Sequence, residues 1–132
     1  MSTQYLARFF GVWIVVVQLG MAFNRATTIA AIDGIFSNPG LAWVTGVFTA
    51  LIGLVVILGH NRWSGSAAAV LVTLFGWIAL LKGLTFVWLP IGDQQQFYAA
   101  LQFERFYYGY LVFGLGLGGF LIYAGFAKDR KL

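Results

Sequence analysis

Lys82 is the residue of this sequence whose type and place most directly suggest chemistry. It lies inside a long apolar stretch, where an ionisable group costs about 2.5–3.5 kcal/mol at the membrane centre and by default marks a functional site. Gln18 lies at a similar depth in the first apolar segment and offers it a hydrogen bond. The alternative is a snorkelling lysine, because Pro90 follows eight residues later, about 12 Å along a helix. That lysine would reach outer headgroups or pair with one of three acids, Asp33, Asp93 or Glu104.

His60 is the only histidine, and it lies in the one polar break of the apolar run from residue 41 to residue 90. A haem or metal site would need further ligands, and Met21 is expected at the opposite membrane face. We therefore predict no metal site. A pH-sensitive or interfacial histidine is the simpler interpretation, and with Asn61 and Arg62 it would form a site for anionic lipid headgroups.

The composition indicates that lipid is the main solvent of this chain. It is 61% hydrophobic and 9% charged, with a mean hydropathy of +0.86, whereas soluble domains carry about 25% charged residues. Cysteine is absent, which excludes disulfides and thiolate sites. The net charge of +4 comes from scattered basic residues near span ends, so it favours membrane topology over nucleic-acid binding. The sequence offers no catalytic triad, intramembrane acid pair, phosphate loop or dinucleotide fingerprint, so it predicts no enzyme and no evident cofactor.

The apolar segments predict a single all-α transmembrane domain over 1–132. Each span needs roughly 20 apolar residues to cross a bilayer. The predicted spans are at about 5–23, 40–59, 66–89 and 106–127. Between them lie two amphipathic segments, 24–38 and 93–105, which are expected in the membrane interface. The polar break at residues 58–65 is then a tight hairpin tip between the second and third spans.

Glycines are frequent in the spans and predict close helix packing, because small residues let helix backbones approach each other in lipid. They serve either contacts within the bundle or docking onto another subunit. The predicted packing positions are Gly76, Gly83, Gly109, Gly114, Gly116, Gly118 and Gly125.

A cluster of aromatic residues surrounds the second amphipathic segment and the start of the last span. Its simplest interpretation is a belt at the membrane interface. The alternative is a groove for a lipid tail, a quinone or a pigment. The groove candidates are Phe97, Tyr98, Phe103, Tyr107 and Tyr108.

Each half of the chain reads as span, amphipathic segment, span, which suggests a parallel repeat. Phe10-Gly11 in the first span resembles Phe75-Gly76 in the third. At an offset of 63, the second span matches the fourth through two glycine pairs, Gly46 with Gly109 and Gly53 with Gly116.

The distribution of basic residues predicts the orientation. Four spans place both termini on one side, and that side carries Arg8, Arg62, Lys128, Arg130 and Lys131. The other side carries Arg25, Lys82 and Arg105. The larger count marks the cytoplasmic side, so both termini are expected in the cytoplasm.

Three parts of the chain, Leu58–Trp63, Leu71–Trp77 and Lys82-Gly83, together resemble a pattern in small uncharacterised four-span proteins of the bacterial inner membrane. The resemblance covers about residues 38–90. It implies a four-span fold and a multi-pass location in the bacterial inner (cytoplasmic) membrane, and it brings no assigned activity.

Two classes of function fit these observations. The first is a non-enzymatic accessory or structural subunit that docks onto another membrane subunit through its glycine-rich faces and binds lipid or pigment. The alternative is a small homo-oligomeric transporter or channel in which Lys82 and Gln18 line the path.

Overall fold

The computed structural model describes residues 2–127 and folds them into helices, with no strand in that range. The helices are α1 (Thr3–Phe23), α2 (Arg25–Ser37), α3 (Pro39–Gly59), α4 (Ala67–Trp88), α5 (Ile91–Leu101) and α6 (Tyr107–Phe126). Four of them, α1, α3, α4 and α6, are long and apolar enough to cross a membrane. The structure therefore confirms the predicted all-α fold with four spans.

Polar side chains fix the starts of the two central spans. Asn38 Oδ1 accepts a hydrogen bond from the Leu41 N–H at 3.1 Å, and Pro39 takes the first helical position, where its missing N–H leaves no bond unmade. Ser66 caps α4 in the same way, by accepting from the Ala69 N–H at 3.1 Å. The polar tip thus divides one long apolar run into α3 and α4.

The two short helices α2 and α5 connect the spans at the end of the bundle opposite the tip, and they contact each other. The Phe36 and Tyr98 rings stack with centroids 4.5 Å apart, and Gln95 Nε2 donates to the Phe36 carbonyl oxygen at 2.7 Å. Helix α5 ends before the predicted segment does, at Leu101, because Gln102 takes the left-handed conformation with φ 49°. The two helices form a layer over this end of the spans.

The four spans associate as two antiparallel pairs, α3 with α4 and α1 with α6, which meet chiefly along α1 and α4. In the first pair, a methyl group added at Gly53 would lie 2.7 Å from the Gly76 carbonyl oxygen. In the second, a methyl group added at Gly11 would lie 3.0 Å from the Gly118 carbonyl oxygen. Both pairs therefore depend on backbone contact at glycines, the kind of packing that associates helices in lipid.

The two helix pairs are related by an internal repeat with an offset of 65 residues. Gly11 and Gly76 are separated by this offset, and so are Gly53 and Gly118. Their contacts correspond: a Cβ at Gly53 would face the Gly76 carbonyl oxygen, and a Cβ at Gly118 would face the Gly11 carbonyl oxygen at 3.3 Å. The same offset takes α2, residues 25–37, to residues 90–102, the range that contains α5. The arrangement agrees with the predicted parallel repeat.

The offset of 63 predicted for the second and fourth spans is wrong. A Cβ added at Gly109 or Gly116 would meet open space, whereas Gly46 and Gly53 are closely packed against α4. In a span as rich in glycine as α6, several glycine pairs share the same spacing. Only Gly114, Gly118 and Gly125 face α1.

The beginning of α1, the tip and the end of α6 lie at the same end of the bundle. Thr3 contacts His60, and Arg8 Nε donates to the Gly125 carbonyl oxygen. The basic tail, residues 128–132, was counted in predicting the orientation, and it lies outside the described residues. The side of the membrane on which this end lies therefore stays a prediction.

Candidate functional site

Lys82 lies on α4 six residues before its last residue, Trp88, which is about 9 Å along the helix. Its side chain is exposed, and Nζ lies 5.9 Å from the centre of the Phe86 ring. Among residues 2–127, no carboxylate forms an ion pair with Lys82, although Asp93 lines one of the cavities beside it. The acids that the sequence offered as partners thus do not neutralise it in this structure.

Three cavities meet at Lys82 and share lining residues, so they form one groove, called here the Lys82 groove. The first, about 380 Å³, lies between α1, α3 and α4 and is lined by aromatic residues that include Phe10, Trp13 and Phe75. The second, about 400 Å³, opens towards α5 at Gln94. The third, about 240 Å³, lies under the α2–α5 layer. Ligand pockets in proteins typically have volumes of about 300–1,000 Å³.

Hydroxyl groups add a few polar atoms to this apolar groove. Thr45 and Thr49 lie one turn apart on α3, and Thr85 follows Lys82 on α4; all three line the cavity under the α2–α5 layer. Thr85 Oγ1 donates to the Lys82 carbonyl oxygen at 2.6 Å, and its lone pairs can still accept. A hydrophobic groove with a few convergent polar groups is the usual composition of a small-molecule site.

The internal repeat shows that the fold itself does not require these polar residues. The position in α1 equivalent to Lys82 is Val17, and the position equivalent to Thr85 is Gly20. The α1–α6 pair also packs through close contacts at its glycines, without a lysine or threonine there. The polar lining is therefore a property of one half of the molecule and points to a role beyond helix packing.

The predicted aromatic groove is formed in part. Phe97, Tyr98 and Phe103 line the third cavity together with Lys82. Burial and the nearby Asp33 carboxylate raise the pKa of the Tyr98 hydroxyl. Tyr98 therefore stays neutral at the end of the groove.

The remaining two aromatic candidates lie elsewhere. Tyr107 is almost completely buried and donates its hydroxyl hydrogen to the Met21 carbonyl oxygen, so it ties α6 to α1. Tyr108 packs against the Tyr107 ring edge and is otherwise exposed. Neither lines the cavities that meet at Lys82.

Gln18 lies between α1 and α6, away from the Lys82 groove. A methyl group added at Gly114 would lie 2.6 Å from Gln18 Nε2, and the buried Gln18 Oε1 has no hydrogen-bond partner among residues 2–127. The structure thus does not bring Gln18 and Lys82 together on one path within a chain. The unpartnered amide oxygen has no physical explanation in this structure.

His60 follows the last residue of α3 and is buried, with 3% of its surface exposed. Its Nδ1 lies 3.1 Å from Thr73 Oγ1, and its Nε2 lies 2.7 Å from Thr3 Oγ1. The Thr73 hydroxyl already donates to the Ala69 carbonyl oxygen and accepts from the Arg62 N–H. Thr73 must therefore also accept from His60, so the ring carries its proton on Nδ1 and accepts from Thr3 at Nε2.

This hydrogen-bond network joins the start of α1, the tip and α4. Burial lowers the pKa of His60, and the charge of Arg62 acts in the same direction. The structure corrects the expectation that His60 contacts lipid headgroups, because its ring points into the protein, where Thr3 and Thr73 occupy both nitrogens.

Asn61 and Arg62, the other two residues of the predicted headgroup site, are exposed at the tip. Asn61 Oδ1 accepts from the indole N–H of Trp63 at 2.9 Å and from that of Trp77 at 3.3 Å. Asn61 thus orders two tryptophan side chains. A headgroup role for the two residues stays a prediction.

The predicted packing glycines divide into two groups. Those that face a neighbouring span within the chain are Gly76, Gly83, Gly114, Gly118 and Gly125. Gly109 and Gly116 face open space on α6. The glycines of the first group cannot dock onto another subunit in this fold, because they already contact neighbouring spans of the same chain.

Sequence reasoning missed most of the groove lining, including Phe10, Trp13, Thr45, Thr49 and Thr85. One signal was present: Thr45 and Thr49 are four residues apart, so they lie on one face of the predicted second span. Within residues 2–127, no three His, Cys, Asp or Glu side chains lie close enough to hold a metal ion.

The chain matches no protein-family model, and no curated protein or solved structure gave a match. The resemblance to small four-span bacterial proteins therefore stays a prediction.

Proposed function

We propose that this chain is a non-enzymatic integral membrane protein that binds a lipid-like molecule in the Lys82 groove. The observation that carries the proposal is the meeting of three cavities at an intramembrane lysine without a charged partner among the described residues. An ionisable residue in a span marks function by default. A long, mostly apolar groove suits a hydrocarbon chain, and each buried CH₂ group contributes about 0.8 kcal/mol to its binding.

The proposed location is the bacterial inner membrane, with both termini in the cytoplasm. Arg8 and Arg62, together with the basic tail, would lie on the cytoplasmic side. The Lys82 groove would then open into the outer leaflet, close to the interface covered by α2 and α5. A ligand would enter laterally from lipid.

A role as an accessory subunit is the second candidate, and the open face of α6 favours it. Gly109 and Gly116 meet no neighbour there, and Val112 and Phe113 between them are 71% and 67% exposed. Extraction in a mild detergent tests this role. A stoichiometric larger partner that is lost in Gly116→Leu would support it, and a clean homo-oligomer would favour the alternative of a transporter instead.

Ligand binding is tested by photolabelling with palmityl alcohol that carries a diazirine in its chain. We expect saturable labelling of the peptides that line the groove, in particular those around Phe10 and Phe75. Ile78 lines two of the cavities and is 56% exposed, so Ile78→Trp can fill the groove without disturbing helix packing. It should lower the saturable labelling at least about tenfold, a loss of 1.4 kcal/mol.

Val112→Trp is the matched control, because Val112 is 71% exposed on α6 and lies outside the groove. It should leave the labelling unchanged. Labelling that never saturates at the groove, or that survives Ile78→Trp, would contradict the proposed function.

A further inference from the structure

We infer that the ligand of the Lys82 groove is a single-chain amphiphile with a carboxylate, a long-chain fatty acid, whose carboxylate pairs with the Lys82 ammonium. This inference rests on the proposed function and specifies its ligand. The hydrocarbon chain of this ligand would occupy the cavity between α1, α3 and α4, and its carboxylate would lie where the three cavities meet.

Charge complementarity identifies the polar end of the ligand. An ammonium at this depth is stabilised by a partner that compensates its lost hydration. Within residues 2–127, no carboxylate forms an ion pair with Lys82. An anion that arrives with the ligand would supply that compensation, and the three N–H donors of a lysine together with the hydroxyls of Thr45 and Thr49 can bond its oxygens.

The surrounding charges favour one negative charge over two. Lys82 is the single basic residue among those that line the three cavities. Asp93 lines the cavity towards α5, and Asp33 lies close enough to Tyr98, which lines the cavity under the α2–α5 layer, to raise the pKa of its hydroxyl. A phosphate monoester would bring a second negative charge towards these two carboxylates, whereas a carboxylate brings only the charge that Lys82 balances.

The groove also favours one hydrocarbon chain over two. The cavity of about 380 Å³ extends from Lys82 along α4 to Phe75, seven residues away and about 10 Å along the helix. It is near the lower end of the volumes of ligand sites. Its lining by Phe10, Trp13 and Phe75 is mostly hydrocarbon, as a single chain requires.

The test compares two photoreactive probes of the same chain, palmitic acid and palmityl alcohol, on the full chain in neutral-lipid nanodiscs at pH 7.4. In the native protein, palmitic acid should bind the groove with at least about tenfold higher affinity than palmityl alcohol, measured as the concentration that half-saturates labelling, because a hydrogen-bonded charge pair adds to its binding. Lys82→Met should abolish this preference while the alcohol still labels. Lys82→Arg should keep the preference, because the arginine retains the charge. Val17→Lys, at the position equivalent by the repeat, should not create a second saturable site.

Each other outcome has a defined meaning. Suppose that the alcohol labels the groove, but that the acid labels it no better than the alcohol does, or still labels it better in Lys82→Met. The carboxylate assignment is then wrong and the proposed function stands. If lysophosphatidic acid displaces the probe better than palmitic acid does, the anion is a phosphate and the assignment is likewise wrong. If neither probe labels the groove saturably, the proposed function itself fails.

Discussion

Replacing Gly53 with alanine is expected to lower the free energy of unfolding by about 1–3 kcal/mol, the usual cost of overpacking. The added methyl group would overlap the Leu80 backbone nitrogen and lie 2.7 Å from the Gly76 carbonyl oxygen. Backbone atoms of α4 cannot move aside as a flexible side chain would, so the α3–α4 pair must separate. Unfolding of the detergent-solubilised protein by dodecyl sulfate, followed by circular dichroism, measures the change.

Gly116→Ala is the matched control for this prediction. Gly116 lies in the interior of α6, and an added Cβ meets open space there. Its replacement should leave stability unchanged or raise it by up to about 1 kcal/mol, since alanine favours the helix more than glycine does. Equal losses at the two positions would mean that something other than the close contact with α4 governs the effect of Gly53→Ala.

The four spans could be predicted from the sequence because their signal is local. An apolar run long enough to cross a bilayer needs no knowledge of its neighbours, and the caps at Asn38 and Ser66 mark where two spans begin. The register of the repeat could not be predicted in the same way. Six glycines in α6 offer several equivalent spacings, and only contact with α1 distinguishes Gly118 from Gly116.

Lys82 could be found from sequence because one charge in an apolar run is conspicuous. The groove around it could not, because its walls come from residues far apart in the chain, such as Trp13, Thr49 and Phe97. The pairing of α1 with α4, which brings these residues together, is not encoded by any local pattern. The repeat helps here, because Val17 takes the position of Lys82 in the other half of the molecule. An apolar residue is therefore enough for helix packing at this position.

His60 was misplaced by sequence reasoning for a related physical reason. A histidine next to Asn61 and Arg62 in a polar tip resembles an interfacial residue. Its hydrogen-bond partners, however, are Thr3 and Thr73, which lie 57 and 13 positions away in the chain. Only the folded arrangement shows that both ring nitrogens are used and that the ring is buried.

Replacing His60 with alanine is therefore expected to cost about 1–3 kcal/mol of stability, because it removes two buried hydrogen bonds and leaves the Thr3 hydroxyl without its His60 partner. The same burial makes the native protein sensitive to pH. The pKa of His60 in the folded protein is lowered from 6.5, mainly because burial removes the hydration of the charged ring. Between the folded pKa and 6.5, the unfolded chain binds more protons than the folded one, so acid favours unfolding.

The stability that the neutral ring provides is thus complete above about pH 6.5 and is lost as the pH falls through the folded pKa. Dodecyl sulfate unfolding measured from pH 7.5 down to pH 5.5 should show a decreasing midpoint for the native protein. His60→Gln retains a donor and an acceptor but does not titrate, so its midpoint should stay constant across this range. Ordinary carboxyl groups titrate near pH 4 and contribute little there. A parallel decrease in His60→Gln would assign the acid sensitivity to another group and remove His60 as its cause.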